Sequence, residues 1–462
     1  MARKILVIDI GKTNAKLALV DLATRTEIAT RSTPNTVLPG PPYPHADVER
    51  LWAFIIEGAR SIGAAHRVDA ITVTTHGATA ALLCEDGSLA LPILDYEFHG
   101  PDTLRADYDR ARPPFAETGS PRLPLGLNLG AQLFWQTRNY PQAARATRLL
   151  PYPQYWAYRL SGVMATEATS LGCHTDLWAP RARGFSTLVR RQGWLPLMPP
   201  LRAASDRLAP ILPAVARATG LDPRTAVHCG IHDSNASLLP HLRARPAPFA
   251  VVSTGTWVVS MAVGASPDGL DPARDTLINV DAFGAPVPSA RFMGGREWEF
   301  LTAGRETEMR EADRRAVLAG GLMLLPAVQP GSGPFQGRTA RWSVPESRLA
   351  DGERAVVVSY YLAMMTSVCL GEISAAGPIL VEGPFARNPC YLAMLAAATG
   401  RPVLAPAAGG TGTSVGAALL AAGDGARGAP PREAEGPRPD PALAAYAAAW
   451  MARVSREPAR AG

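Results

Sequence analysis

The sequence predicts an α/β protein in which one design occurs twice, and three observations carry that expectation. Residues 5–21, ILVIDIGKTNAKLALVD, hold two strand-like runs on either side of a small polar turn. Residues 249–264, FAVVSTGTWVVSMAVG, repeat the plan with an apolar run, a polar turn at Gly255 and an apolar return. Each hairpin is followed by segments whose apolar residues recur at helical spacing, as layered α/β halves require.

In the first hairpin Ile5, Leu6, Val7 and Ile8 form the unbroken apolar run of a strand covered on both faces, and Leu17, Leu19 and Val20 supply the return. Asp9 ends the first strand where a carboxylate would emerge from the core. Gly11 lets the backbone approach an anion, and Lys12, Thr13 and Asn14 add donors. An ordinary hairpin turn uses the same residue types, so both readings stand at this point. A Walker A loop does not fit, because Leu6 stands where that pattern needs glycine and a strand follows where it needs a helix. Residues 47–62 place Val48, Leu51, Trp52, Ile55, Ile56, Ala59 and Ile62 on one helix face, with Asp47 as cap. AITVTTHGATAALL reads as a strand that turns at His76 and Gly77. From Pro92 to about residue 130 the periodicity is weak, so PILDYEFHG is expected as pocket wall, with Trp156, Tyr158 and Trp178 over the same cleft.

Residues 240–248, PHLRARPAP, mark a junction, giving domains 1–243 and 244–462. Beyond the second hairpin come a helix near residues 353–373, a strand PILVEG, a helix closed by Gly400, a strand PVLAP and a helix SVGAALLAA. Two halves with phosphate-suited turns imply a duplicated fold with nucleotide in an interdomain cleft. Gly410, Gly412 and Gly416 come near a dinucleotide fingerprint, but no further strand follows, so that reading fails its context. The last ~20 residues predict a terminal helix and a frayed tail.

Composition excludes several classes. With 47% hydrophobic and 19% charged residues the chain is globular rather than disordered. The net charge of +6 is spread without a basic block, so nucleic acid is not an expected partner. Five cysteines without CxxC spacing read as reduced and buried. No run of ~20 apolar residues stands out, so no membrane association and a cytoplasmic location are expected.

DIGKTN, GIHDSNASL, STGTW, MGGREWEFL, VEGPFARNP and GTGTSVGAALL occur in an order that resembles the FGGY carbohydrate kinases over nearly the whole chain. STGTW and HDSNA look most like the rhamnulokinase and fuculokinase branch. The resemblance implies two ribonuclease H-like domains of the actin/hexokinase type around a cleft. It also implies transfer of phosphate from ATP, with Mg2+, to a hydroxyl of a small ketose or deoxyketose of rhamnulose, fuculose or xylulose type. The first domain would bind sugar and carry the base, and the second would bind nucleotide. A homodimer is allowed.

A sugar hydroxyl is a poor nucleophile at neutral pH, so transfer benefits from a carboxylate that takes its proton. Asp233 in GIHDSN is the candidate, although an aspartate there also suits a helix cap. His228, Cys229 and His232 do not make a zinc site, because Gly230 breaks the helix that would align them. The resemblance assigns Gly11, Lys12, Thr13, Asn14, Thr254, Gly255 and Thr256 to phosphates, and Gly383, Asn388 and Gly410 to adenosine. It assigns Asp9 and Asp233 to magnesium, and His76, Asp95, Glu97 and His232 to the sugar.

Two departures stand out. Relatives carry a small residue at Lys12, whose amine would meet phosphate or solvent. They also carry an aromatic residue, any residue, then Asp where this chain reads Asp95, Tyr96, Glu97. Two carboxylates favour a neutral polyol or ketose over a sugar acid. Trp135, Trp257 and Trp298 are candidate apolar walls. A sugar or nucleotide sensor on the same fold is the alternative, and an actin-like structural ATPase a weaker one.

Overall fold

The computed structural model describes residues 3–303, 307–406, 412–423, 433–434 and 440–456. It divides into two compact units. The first comprises Met1–Arg245, Ile278–Pro286 and Gly410–Pro430, and the second Pro246–Leu277, Val287–Gly409 and Pro431–Gly462. The N-terminal stretch of the first unit therefore ends two residues beyond the expected junction, and two later segments return to it.

In the first unit the strand Lys4–Ile10 pairs antiparallel with Asn14–Asp21, which pairs with Thr26–Pro34. On its other side it runs parallel to Ala70–Thr75, which in turn flanks Ala226–His228. The unbroken apolar run has the predicted cause. Leu6 and Ile8 enter one core and Ile5 and Val7 another, because successive side chains leave opposite faces of a strand. The first face is covered by the helix Val48–Ala65 through Leu51, Ile55, Ala59 and Ile62, and Asp47 caps that helix by accepting from the Arg50 amide. The second is covered by the helices Asp233–Ala244 and Gly412–Leu419. These two cross at Gly416, where a Cβ would lie 1.7 Å from the Ala236 carbonyl oxygen, so only glycine permits the approach.

Residues 96–190 carry a core of their own rather than serving only as wall. Tyr108, Leu129, Leu133, Phe134, Leu171, Trp178 and Leu188 cluster there. Beside them the buried Asp176 accepts from Tyr108 (2.8 Å), Asn128 (3.0 Å), Thr118 (3.0 Å) and Arg112 (3.0 Å). The expectation that Trp156 and Trp178 lie over a cleft is corrected, since both are core residues, and so is Trp135 as a sugar wall. Trp135 is buried against Tyr43, Phe98 and Tyr140. Polar neighbours in sequence disguised these rings.

The second unit repeats the strand order. Pro286–Phe292, Val258–Val263 and Phe249–Thr254 are antiparallel neighbours, followed by Ile379–Glu382 and Val403–Pro406 in parallel. The helix Asp351–Glu372 runs through its core. Contrary to the sequence reading, this helix is long and apolar enough to cross a membrane, but it is mostly buried inside the unit, as a core helix is. Trp298 packs against the same core, 5.9 Å from the Phe385 ring. The helix Pro389–Thr399 is capped by Asn388 and closed by a left-handed Gly400, as its sequence predicts. The helix Pro441–Arg456 is held by Trp450, whose indole N–H donates to the Leu324 carbonyl at 2.7 Å.

Candidate active site

The parallel strands of the first unit bring the candidate residues to one end of its sheet. His76 follows the strand Ala70–Thr75, and its amide donates to the Ile10 carbonyl at 3.0 Å, beside the Gly11 turn. Ile231–His232 pairs with the end of the same strand, with His232 opposite Thr75. Asp233 then opens the helix Asp233–Ala244, so the cap reading is half right: the helix begins at Asp233, whose carboxylate accepts from the Ser234 amide at 2.6 Å.

In the first hairpin turn the Gly11 amide is spent on the Asn14 carbonyl at 2.9 Å, and Asn35 donates to the Gly11 carbonyl at 2.8 Å. Thr13 and Asn14 are exposed. An anion at this turn would therefore be met by the amides and hydroxyl of residues 12–13, not by the Gly11 N–H.

Burial first, and then the charge of Asp233, push the Asp9 carboxyl up to about 7 against the pull of Lys16. Two carboxylates that repel at this range are a hard-oxygen donor pair whose strain a divalent cation relieves. The residues thus fit Mg2+. Among the described residues no group of three His, Cys, Asp or Glu side chains forms an all-protein metal cage. The zinc reading stays rejected: His228 turns its Nδ1 to the Ser205 carbonyl at 2.8 Å.

His232 is not placed as a free sugar ligand. Its Nε2 lies 3.1 Å from Asp233 Oδ1 and its Nδ1 2.6 Å from Asn235 Oδ1. The Asn235 amide orientation is set by its Nδ2 donating to the Val280 carbonyl. Both ring nitrogens therefore face acceptor oxygens, an arrangement that favours the imidazolium. Burial alone would lower the His232 pKa, but the Cys173 thiol and Asp233 raise it above the ordinary range. Cys173 was not singled out in the sequence. Its thiol is pulled down, against burial, by His174 and His232. Gly77, read from sequence only as a turn residue, is another neighbour, since a Cβ there would lie 2.8 Å from His232 Nε2.

Lys12 does not stand free toward phosphate. Its ammonium donates to Asp95 Oδ1, lies 3.4 Å from Glu97 Oε2 and sits 4.9 Å from the centre of the Tyr96 ring. His76 meets the same ring edge-on at 5.1 Å and the Tyr152 ring at 5.2 Å. Its Nδ1 lies 3.1 Å from the Gly77 carbonyl, which can only accept, so Nδ1 carries the proton and Nε2 is an acceptor. Burial lowers the His76 pKa and keeps the ring neutral.

In the second unit the turn after Phe249–Thr254 copies the first, with the Gly255 amide donating to the Trp257 carbonyl at 3.0 Å. Trp257 carries the Arg291 guanidinium 4.5 Å over its ring. A Cβ at Gly295 would lie 1.9 Å from the Gly255 carbonyl oxygen, and one at Gly383 1.9 Å from that of Thr254. Thr256 is exposed. The Thr254 hydroxyl is engaged within the unit: it donates to the Glu382 carbonyl and accepts from the Phe385 amide at 3.1 Å. Asn388 likewise spends its side chain on the Tyr391 amide and the Ser359 hydroxyl. Gly410 lies outside the described residues.

Comparison with known proteins bears on this arrangement. The profile of the carbohydrate kinase FGGY C-terminal domain matches residues 246–430. The solved structure of a carbohydrate kinase from Novosphingobium aromaticivorans is 37% identical, superposes with a TM-score of 0.89, and the match covers 97% of this chain and 100% of that one. The chain belongs to the FGGY carbohydrate kinase family. Its two α/β units are the two actin/hexokinase-type domains of that family. Among curated relatives of this FGGY kinase, a xylulose kinase of Streptomyces rubiginosus is 25% identical over 90% of this chain and 87% of its own length. An L-fuculokinase of Escherichia coli (strain K12) is 25% identical over 57% of each chain.

Proposed function

We propose that this kinase transfers the γ-phosphate of ATP to a hydroxyl of a small ketose or deoxyketose of xylulose, fuculose or rhamnulose type, with Asp233 as general base. The observation that carries the reading is the placement of Asp233 at the sheet end shared by Asp9 and His76, with its carboxylate 3.1 Å from the His232 imidazolium. As the hydroxyl oxygen bonds to phosphorus and the bond to the bridging oxygen of ADP breaks, the hydroxyl proton passes to the Asp233 carboxylate. His232 and the Ser234 amide hold that carboxylate in place. Asp9 and Asp233 would hold Mg2+, which supplies charge neutralisation at the phosphates. The Gly11–Asn14 turn and the Gly255–Thr256 turn would approach phosphates through backbone amides, and the Gly383 region of the second unit would approach adenosine.

An ADP-release assay across xylulose, fuculose and rhamnulose tests this. At least one sugar should drive ATP consumption, and Asp233→Asn should fold, bind nucleotide and lose about 100-fold or more in kcat. ATP turnover that ignores sugar would overturn the reading.

A further inference from the structure

The two departures of this chain from its family meet in space. Lys12 and Asp95 form one ion pair, with side chains 19% and 12% exposed, and Glu97 stands 3.4 Å from the same ammonium. For Lys12 to reach a phosphate it would have to abandon a half-buried carboxylate, and leaving a sheltered charge unpaired is costly. Lys12 therefore stays with Asp95. The recess that Lys12 and Asp95 line also includes Asn35, Thr36, His76 and Tyr96. It presents donors from Lys12 and Asn35 and acceptors from Asp95 and His76 Nε2. Such an alternation suits hydroxyls, each of which both donates and accepts. With Glu97 beside the Lys12–Asp95 pair, the cluster of one ammonium and two carboxylates is net negative, which opposes a carboxylate on the ligand.

We propose that Lys12 is a specificity-determining residue of the acceptor pocket, where with Asp95 it reads adjacent hydroxyls of an uncharged ketose or polyol and rejects sugar acids. This rests on the kinase reading above. It moves Lys12 from the phosphate-donor side, where its position in the Gly11 turn would put it, to the acceptor side. The aromatic face of Tyr96 beneath the ammonium keeps the lysine in place when the sugar enters.

The test uses Lys12→Met, which keeps the length of the side chain and removes its charge, beside Asp95→Asn, the double variant and Lys12→Arg. Xylulose, fuculose and rhamnulose serve as neutral acceptors, gluconate as the acid probe and ATP as donor. Lys12→Met and Asp95→Asn should each raise the acceptor KM about tenfold or more and leave the ATP KM within about twofold. The double variant should lose less than the product of the two, because the pair acts as a unit. Lys12→Arg should retain more acceptor affinity than Lys12→Met, which separates loss of charge from misfolding. Gluconate should be phosphorylated at least about 100-fold less efficiently than the best neutral sugar by the unaltered chain. A raised ATP KM in Lys12→Met with an unchanged acceptor KM would overturn the inference and leave the kinase reading intact, as would a preference for gluconate. No turnover of any neutral acceptor by the unaltered chain would sink the kinase reading, and the inference with it.

Discussion

Asn235 fixes the proton on His232 Nδ1. With Nδ2 committed to the Val280 carbonyl, Asn235 can offer the ring only its oxygen, so the imidazole must hold a proton on Nδ1, while Nε2 lies 3.1 Å from Asp233 Oδ1. His232→Gln should therefore act on the placement of Asp233 rather than on sugar affinity. We expect kcat to fall about 10- to 100-fold with the sugar KM changed less than about threefold. A large KM change at constant kcat would return His232 to the role of direct sugar ligand.

Asp9 gives a pH dependence whose sign is fixed. Its folded pKa of about 7 lies above the ordinary 3.8, so the fold favours the protonated form. The associated stability is complete below the unfolded value and is lost as pH rises through about 7. Asp9→Asn should thus be more stable than the parent at pH 8, by on the order of 1 to 3 kcal/mol, with the difference vanishing toward pH 4. Urea unfolding without Mg2+ at these two pH values measures it. The same variant should lose Mg2+-dependent turnover.

Thr254→Val preserves shape while removing the acceptor for the Phe385 amide and the donor to the Glu382 carbonyl. It should cost about 1 to 3 kcal/mol of stability in urea unfolding. If the hydroxyl served phosphate instead, nucleotide affinity would fall with stability unchanged.

Asp176→Ala should be among the more destabilising single changes in the first unit, at about 3 to 5 kcal/mol, because Arg112 is left with a sheltered, unpaired charge. Protease digestion should then cut first within residues 96–128, which this carboxylate ties together through Tyr108, Thr118 and Asn128. Resistance of that segment in the variant would assign its stability to the surrounding apolar cluster.

What the sequence disclosed, and what it hid, follows the range of the interactions. The hairpin strands were legible because a strand buried on both faces leaves an unbroken apolar run, and the Val48–Ala65 helix because Asp47 and its i, i+4 apolar face are local signals. Asp233 was singled out by motif, and the pairing of Ile231–His232 with Ala70–Thr75 puts it at the end of the sheet. The Lys12–Asp95 pair spans 83 positions and depends on how the Pro-rich segment lies against the first turn, so no local pattern announces it. The structural ties of the Thr254 and Asn388 side chains were hidden for a related reason. Small polar residues that cap or tie a backbone look the same in sequence as those that bind a ligand.

The helix Gly412–Leu419 packs by Gly416 against the helix that Asp233 opens, and both belong to the first unit. The half that bears the proposed base is consequently closed only after most of the second unit's chain has been made. At ribosomal rates of about 5 to 20 residues per second, roughly ten to thirty-five seconds separate the emergence of Arg245 from that of the covering helix. During that interval Ala236 and Leu239 have no Ala417 or Ala418 to bury against. The nascent first unit then carries part of one sheet face uncovered, and a fragment cut at residue 245 would keep that bareness permanently.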